Sequence, residues 1–242
     1  MKTQDRVAMV TGASRGLGLV IARVLAARGW ALVIGGRDPA ALADAAGRLS
    51  AVSPAVRPVA GDITDPAVRA GYIEAARQLG GLDVLVNNAS ELGVMGPLLA
   101  FDVPRFGRLF PVNVGAPMVL TQLAVPLLAE RRGLIVNITS DAATAAYPDW
   151  GPYGATKAAL ELLTRTLAGE LRAIGVSAVL VDPGDMRTRM QQEAFPGQDI
   201  SDRPLPEVTE PFWRWLFDQD PEALRGTRLS AQQEDARWLP RT

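Results

Sequence analysis

Short apolar runs recur along the sequence at fairly even intervals: "RVAMVT" (6–11), "ALVIGG" (31–36), "VRPVA" (56–60), "LDVLVNNA" (82–89), "GLIVNITS" (133–140) and "VSAVLVDPG" (176–184). Most show no polar/apolar alternation, the pattern of strands buried on both faces of a parallel sheet. Helical patterns lie between them. "GLGLVIARVLAARG" (16–29) ends on a glycine stop, while "DPAALADAAGRLS" (38–50) and "DPAVRAGYIEAARQLG" (65–80) both open with Asp-Pro, a cap followed by proline at the first helical position. "ATKAALELLTRTLAGELRAIG" (155–175) has a leucine-rich stripe and a terminal glycine. This alternation predicts a single α/β domain spanning 1–242, doubly wound, with right-handed crossovers.

Two stretches depart from the rhythm. Pro111, Pro117 and Pro126 predict a short helix, a break and a kinked helix over 101–130. The segment from about 185 to 217, rich in Pro, Asp, Gln and Glu over most of its length, is read as a substrate lid, because strand-like "GTRLSA" (226–231) follows it.

Composition narrows the chemistry. There are no cysteines and no histidines among the 242 residues. That excludes a thiolate nucleophile, a Cys-type zinc site, a Ser–His–Asp triad and imidazole acid/base catalysis. No carboxylate spacing points to a metal. The formal net charge of −1 gives no field for nucleic acid or anionic membrane. "MKTQDRV" has no apolar signal region, and "MVLTQLAVPLLA" (118–129) is read as too short and interrupted to span a bilayer, so a cytoplasmic location is expected.

"TGASRGLG" (11–18) follows a strand and opens a helix. Gly12, Gly16 and Gly18 permit a tight turn and close approach of backbone to a pyrophosphate, which the helix N-terminus would hold; Ser14 and Leu17 share the loop. Sites for NAD carry an acidic residue about 20 positions on, for the ribose 2′-hydroxyl. Gly35 and Gly36 stand there, followed by Arg37, and Arg15 sits inside the loop. Two guanidiniums near one ribose suit a 2′-phosphate, so NADP(H) is favoured over NAD(H). Asp38 could reverse this, but before Pro39 it reads as a helix cap. "GDITD" (61–65) and "NNAS" (87–90) end strands at the edge where open α/β sheets bind ligands. Asp62, with Ile63 beside it, could accept from an adenine amine, and Asn87 and Asn88, followed by Ala89, could hold loop backbones. As plain turn residues they would be unremarkable.

The group read as chemical is Asn113, Ser140, Tyr153 and Lys157. Tyr153 and Lys157 are spaced i, i+4 and share one helix face. Only two lysines occur against 23 arginines, and a compact ammonium suits a place beside a phenol better than a forked guanidinium. The ammonium is expected to favour the phenolate, helped by a cationic cofactor ring. An isolated YxxxK would be read as surface decoration.

Together "TGASRGLG", "NNAS", "NVG" (113–115), Ser140, "YGATK" and "DPG" (182–184) resemble the short-chain dehydrogenase/reductases over nearly the whole chain. The resemblance implies a Rossmann fold with a seven-stranded parallel sheet and metal-free carbonyl/alcohol interconversion with NAD(P). It implies that Tyr153 is the general acid/base, that Ser140 orients the substrate oxygen, that Lys157 binds the nicotinamide ribose and that Asn113 holds a relay water. Pro183, Gly184 and Thr188 resemble the loop that contacts the nicotinamide carboxamide. Ser90, where the family usually has glycine, is a departure, and Thr139 for serine a minor one. The leading expectation is an NADP(H)-preferring oxidoreductase acting on a small ketone or secondary alcohol. The alternatives are an NAD-linked alcohol dehydrogenase using Asp38 and a non-catalytic dinucleotide-binding regulator. Phe106, Trp150, Phe195, Phe212, Trp213 and Trp215 are candidates for an apolar pocket, and Glu91, Arg187 and Arg189 for polar contacts. By resemblance the chain forms a homodimer or homotetramer through the helices near 101–130 and 155–175.

Overall fold

The computed structural model of the chain describes residues 6–233; Lys2 and both ends of the expected 1–242 domain lie outside that range. Seven strands form one sheet in the order β3-β2-β1-β4-β5-β6-β7, and every neighbouring pair is parallel. They are β1 (Val7–Val10), β2 (Ala31–Gly36), β3 (Val56–Ala60), β4 (Val84–Asn87), β5 (Leu134–Ile138), β6 (Ser177–Asp182) and β7 (Arg228–Ser230). The strands read as unalternating runs are the buried ones: every residue of β1, β4, β5 and β6 is buried. The edge strand β3 is half exposed and carries Pro58, tolerable where a missing N–H spoils no central ladder.

The helices α1 (Gly16–Ala27), α2 (Pro39–Leu49), α3 (Pro66–Gln78), α4 (Val103–Phe110), α5 (Ala116–Arg131) and α6 (Gly151–Glu170) are the crossovers. The Asp-Pro openings behave as expected: Asp38 accepts from the backbone N–H groups of Ala40 and Ala41, and Asp65 from that of Ala67. The strand order reverses between β1 and β4, and the carboxyl ends of those strands open the crevice in which an α/β sheet binds ligands.

Two expectations are corrected. From Gly107 to Arg131 the helical path runs unbroken for 25 residues and is long and apolar enough to cross a bilayer. A π turn at Pro111–Gly115 takes up the first proline and runs directly into α5, with Ala116 N donating to the Pro111 carbonyl, so that Pro117 follows without breaking the helical path. Ala116, Leu120, Ala124 and Leu128 on α5 are buried, and the helix packs on β4, β5 and α3. The second correction concerns the lid. Its first part, with α7 (Arg189–Ala194), borders the crevice, but α8 (Glu210–Leu216) packs on α1. Phe212, Trp213 and Leu216 are fully buried with Phe217 in the main core, and the Trp213 indole donates to Thr209 Oγ1 at 2.9 Å. The apolar spacing 212, 213, 216, 217 is that of a buried helix face, and it outweighs the proline-rich composition. Phe212 and Trp213 are therefore core, not pocket; Trp215 packs against the same core. The side chain of Phe106 lies outside the description.

Candidate active site

A cleft of about 980 Å³ runs along the carboxyl ends of the strands. At one end lie Gly12, Ser14, Arg15, Gly16, Leu17 and Gly18. α1 begins there with no side-chain cap at Arg15, whereas α2 and α3 are capped, so its first N–H groups and its positive dipole end face the cleft. The turn is packed too tightly for any residue but glycine at 18: a Cβ would sit 2.3 Å from the Gly12 carbonyl oxygen and 2.5 Å from Asn88 Nδ2. Asn88 ties this turn to β4 by donating to the carbonyls of Thr11 and Gly12 at 2.9 and 3.1 Å, and Ala89 N donates to Thr11 Oγ1 at 2.9 Å. The uncapped helix end and the glycine cradle fit a dinucleotide pyrophosphate.

Around the adjacent β2 end, Gly35 has a steric reason. A Cβ there would lie 1.5 Å from the Tyr72 hydroxyl oxygen, so no acidic side chain can grow from that position. Arg15 and Arg37 both line the cleft, but each already holds a carboxylate: Arg15 Nη2 contacts Asp38 Oδ2 at 3.0 Å, and Arg37 pairs with Glu91. Asp38 spends its other oxygen on the α2 cap, and these backbone bonds, led by that of Ala41, hold its carboxyl below the usual range. Asp62 and Ile63 lie beside them; Asp62 Oδ1 accepts from Thr64 N and Oγ1 at 2.8 and 2.7 Å.

The other end gathers Ser140, Tyr153, Lys157, Pro183, Gly184 and Thr188. Ser140 follows β5, and Tyr153 and Lys157 lie in the first turns of α6. Lys157 Nζ donates to the Ile138 carbonyl at 2.9 Å and lies 5.5 Å from the Tyr153 ring centroid. Burial pushes the Tyr153 phenol well up; the hydroxyls of Ser140 and Ser90 oppose this, and the carboxylates of Asp182 and Asp141 reinforce it. Burial also drives the Lys157 ammonium down to about 8, against the pull of Asp182. In the chain alone the lysine thus does not win the phenolate that the spacing suggested, because desolvation outweighs it. Tyr153 stands as a protonated phenol, the form a proton donor needs. Trp150 packs edge-on to Tyr153 (5.9 Å) and next to Phe195 (6.2 Å), which makes an apolar wall. Glu91, Arg187 and Arg189 also border the cleft, with Arg189 paired to Glu193 at 2.8 Å.

Asn113 does not line the cleft; it is 1% exposed in the π turn. Its Oδ1 accepts from Ser90 Oγ (3.1 Å) and Glu91 N (2.8 Å), and its Nδ2 donates to Glu91 O (2.8 Å) and Thr156 Oγ1 (3.0 Å). These bonds exhaust the amide. A relay water here would have to use the main-chain carbonyl.

Residues 6–199 match the sequence profile of the short chain dehydrogenases. The chain belongs to the short-chain dehydrogenase family. It is 35% identical to 1-deoxy-11-beta-hydroxypentalenate dehydrogenase of Streptomyces exfoliatus, over 79% of this chain and 71% of that protein. It is 34% identical to gluconate 5-dehydrogenase of Gluconobacter oxydans, over 81% and 77%. Among solved structures, a short chain dehydrogenase of Shigella flexneri complexed with NADP superposes with TM-score 0.86 at 27% identity, covering 95% of this chain and 98% of the other. An alcohol dehydrogenase of the archaeon Thermococcus sibiricus complexed with 5-hydroxy-NADP gives 0.82 at 28%, covering 96% and 99%. The chain is thus an oxidoreductase of this family, in which dehydrogenases act on CH–OH groups.

This short-chain dehydrogenase also holds polar residues near Ser140 and Tyr153 that sequence reasoning missed. Asp141 accepts from Ser140 Oγ at 2.9 Å and from the Tyr147 hydroxyl at 2.7 Å. The Ser90 hydroxyl donates to Asn113 Oδ1 at 3.1 Å and also favours the Tyr153 phenolate. Glu161 lies one helical turn beyond Lys157, a spacing that could have signalled it. Asp182 opens the "DPG" motif but was given no role there, and Arg228 had no signal, since its partners are distant in sequence.

Proposed function

We propose that this chain is an NADP(H)-preferring oxidoreductase that interconverts a small ketone and a secondary alcohol, with Tyr153 as general acid/base. The observation that carries the reading is the convergence of Ser140, Tyr153 and Lys157 at one end of a cleft whose other end is the glycine turn and the uncapped start of α1. Gly12, Ser14, Arg15, Gly16, Leu17 and Gly18 would hold the pyrophosphate side of the dinucleotide. Asp62, Ile63, Asn88 and Ala89 would flank the adenosine half, and Lys157, Pro183, Gly184 and Thr188 the nicotinamide half. When bound, the dinucleotide supplies or accepts the hydride at the carbonyl carbon. The Tyr153 phenol donates a proton to the carbonyl oxygen in reduction and takes it back in oxidation. Ser140 orients that oxygen, and Trp150 and Phe195 keep the apolar side of the substrate out of water.

Three points favour the phosphorylated cofactor. Asp38 is committed to its cap and to Arg15. Gly35 leaves no room for an acid. The pairs of Arg15 and Arg37 are largely exposed, so water screens them and a 2′-phosphate can displace the carboxylates. NADP in one of the similar structures and 5-hydroxy-NADP in another agree with this. Val119 and Leu123 on α5 and Leu162 on α6 are exposed apolar residues, consistent with a homodimer or homotetramer built on these helices.

The test titrates NADPH and NADH by fluorescence and then screens ketones with wild type and Tyr153→Phe. Tyr153→Phe is expected to bind the cofactor and lose turnover; unchanged turnover would remove the tyrosine mechanism, and failure to bind either dinucleotide would remove the whole reading. Arg37→Ala is expected to weaken NADPH far more than NADH, and an intact preference would refute the arginine argument.

A further inference from the structure

The adenosine end of the cleft holds Arg15 and Arg37 with Asp38, Asp62 and Glu91. Arg37 follows β2 directly and Glu91 lies in the loop after β4, yet the two form an ion pair across 54 positions of sequence. Arg37 also faces Asp62, whose carboxyl is held low by the backbone and hydroxyl of Thr64, with the arginine's charge adding to the effect. The three acids are not equivalent. Asp38 Oδ1 caps α2, and Asp62 Oδ1 closes a turn at Thr64. Both carboxylates have local partners that keep them where they are. Glu91 has none: among the described residues, Arg37 is the sole partner of its carboxylate.

The main chain of Glu91 is held as firmly as its tip is loose. Its N–H donates to Asn113 Oδ1 and its carbonyl accepts from Asn113 Nδ2, both at 2.8 Å. Asn113 is fully buried and reaches α6 through Thr156 Oγ1 at 3.0 Å. One buried amide thus grips both polar edges of a residue whose side chain, 32% exposed, reaches to the end of β2. Such a side chain can leave Arg37 and return without the loop moving.

We propose that Glu91 is a specificity-determining residue for the dinucleotide: its carboxylate occupies the Arg37 guanidinium that a 2′-phosphate would take, so that binding NADP(H) exchanges one anion for another. The inference rests on the reading of Arg37 as the phosphate contact. A phosphate offers more charge and more acceptor oxygens than a carboxylate, so the exchange runs toward the cofactor. It is nevertheless weaker than binding to a free arginine, and the freed carboxylate is left near a like charge. NADH carries only a hydroxyl at that position and leaves the pair in place. Glu91 therefore weakens NADP(H) selectively and gives the departing cofactor a competitor for Arg37.

The test is a double-mutant cycle on the full chain, with NADPH and NADH titrated by fluorescence at low ionic strength, where an exposed pair is least screened. Glu91→Gln is expected to tighten NADPH about threefold, the order of one exposed ion pair, and to leave NADH within about 1.5-fold. Glu91→Ala should give the same gain, which removes any hydrogen bond the glutamine keeps to Arg37. In an Arg37→Ala background the Glu91→Gln gain should disappear. That last arm separates exchange at Arg37 from long-range repulsion, which would persist without the arginine. Weaker NADPH binding in Glu91→Gln, equal tightening of both cofactors, or a gain that survives Arg37→Ala would each overturn the inference. The two readings fail separately. If Arg37→Ala abolishes the NADPH preference while Glu91→Gln and Glu91→Ala change nothing, the cofactor reading stands and this inference falls. If Arg37→Ala keeps the preference, the cofactor reading itself is refuted, and the role of Glu91 with it.

Discussion

Replacing Lys157 by methionine is expected to leave the fold as stable as wild type, or more so, while removing turnover. Burial drives the Lys157 ammonium from an ordinary value of 10.5 to about 8. At about 1.36 kcal/mol per pH unit, keeping this group charged in the fold costs roughly 3 kcal/mol at pH 7. Methionine removes that cost and keeps most of the stem. It also removes the 2.9 Å bond to the Ile138 carbonyl, and a buried acceptor left without its donor costs about 1–3 kcal/mol. The variant should therefore lie between equal stability and about 2 kcal/mol above wild type at pH 7. The folded value lies below the unfolded one, so the native chain releases the proton first. Below about pH 8 both states are charged and the full cost is present; between about 8 and 10.5 the unfolded chain binds more protons and wild type gains stability as pH rises. By pH 9.5 about 2 kcal/mol of the cost should be gone, so the variant's advantage shrinks or reverses. Urea unfolding followed by tryptophan fluorescence at pH 7, 8.5 and 9.5 reads this difference. A methionine variant more than 2 kcal/mol less stable at pH 7, or a gap that does not change with pH, would refute the reasoning and make Lys157 a structural residue.

Gly18→Ala puts a Cβ 2.3 Å from the Gly12 carbonyl oxygen; the turn must open, and a fluorescence titration should show NADPH affinity falling at least tenfold while circular dichroism stays native. Trp213→Ala removes a fully buried indole and should cost about 3–5 kcal/mol in urea unfolding; a loss under 1 kcal/mol would mean that α8 is not part of the core. Ser90→Gly leaves Asn113 Oδ1 its Glu91 donor but removes a hydroxyl that favours the Tyr153 phenolate. The acid limb of alcohol oxidation should therefore move to higher pH, and a limb that stayed in place would show that Ser90 does not act on the phenol.

Much of the fold was legible because its signals are local. A strand buried on both faces announces itself as an unbroken apolar run, and an Asp-Pro cap lies within the helix it starts. What was misread turned on a competition between local signals. Around 206–217 the prolines and acids suggested a surface segment, yet the aromatic spacing of "FWRWLF" already described a buried helix face. Over 101–131 the prolines suggested breaks, and a π turn absorbed the first of them, an arrangement whose stability comes from packing on the sheet rather than from propensity.

The site divides in the same way. The glycine turn and the Tyr153–Lys157 pair are each fixed by spacing within a few residues, so the sequence can display them. Their electrostatics are not. The phenol is buried behind Trp150 and faced by Asp182, and Asp182 is held by Arg228, whose bond to Ser140 crosses 88 positions of sequence. Such distances explain why the lysine looked sufficient to ionise the tyrosine when read alone. In the fold both groups are desolvated, each is pushed toward its neutral form, and the nearby carboxylates keep the phenol protonated while they support the ammonium. Lysine at 157 is then more than a small movable charge beside a phenol. Burial brings its pKa down to about 8, so it can give up a proton near neutral pH, which an arginine cannot do.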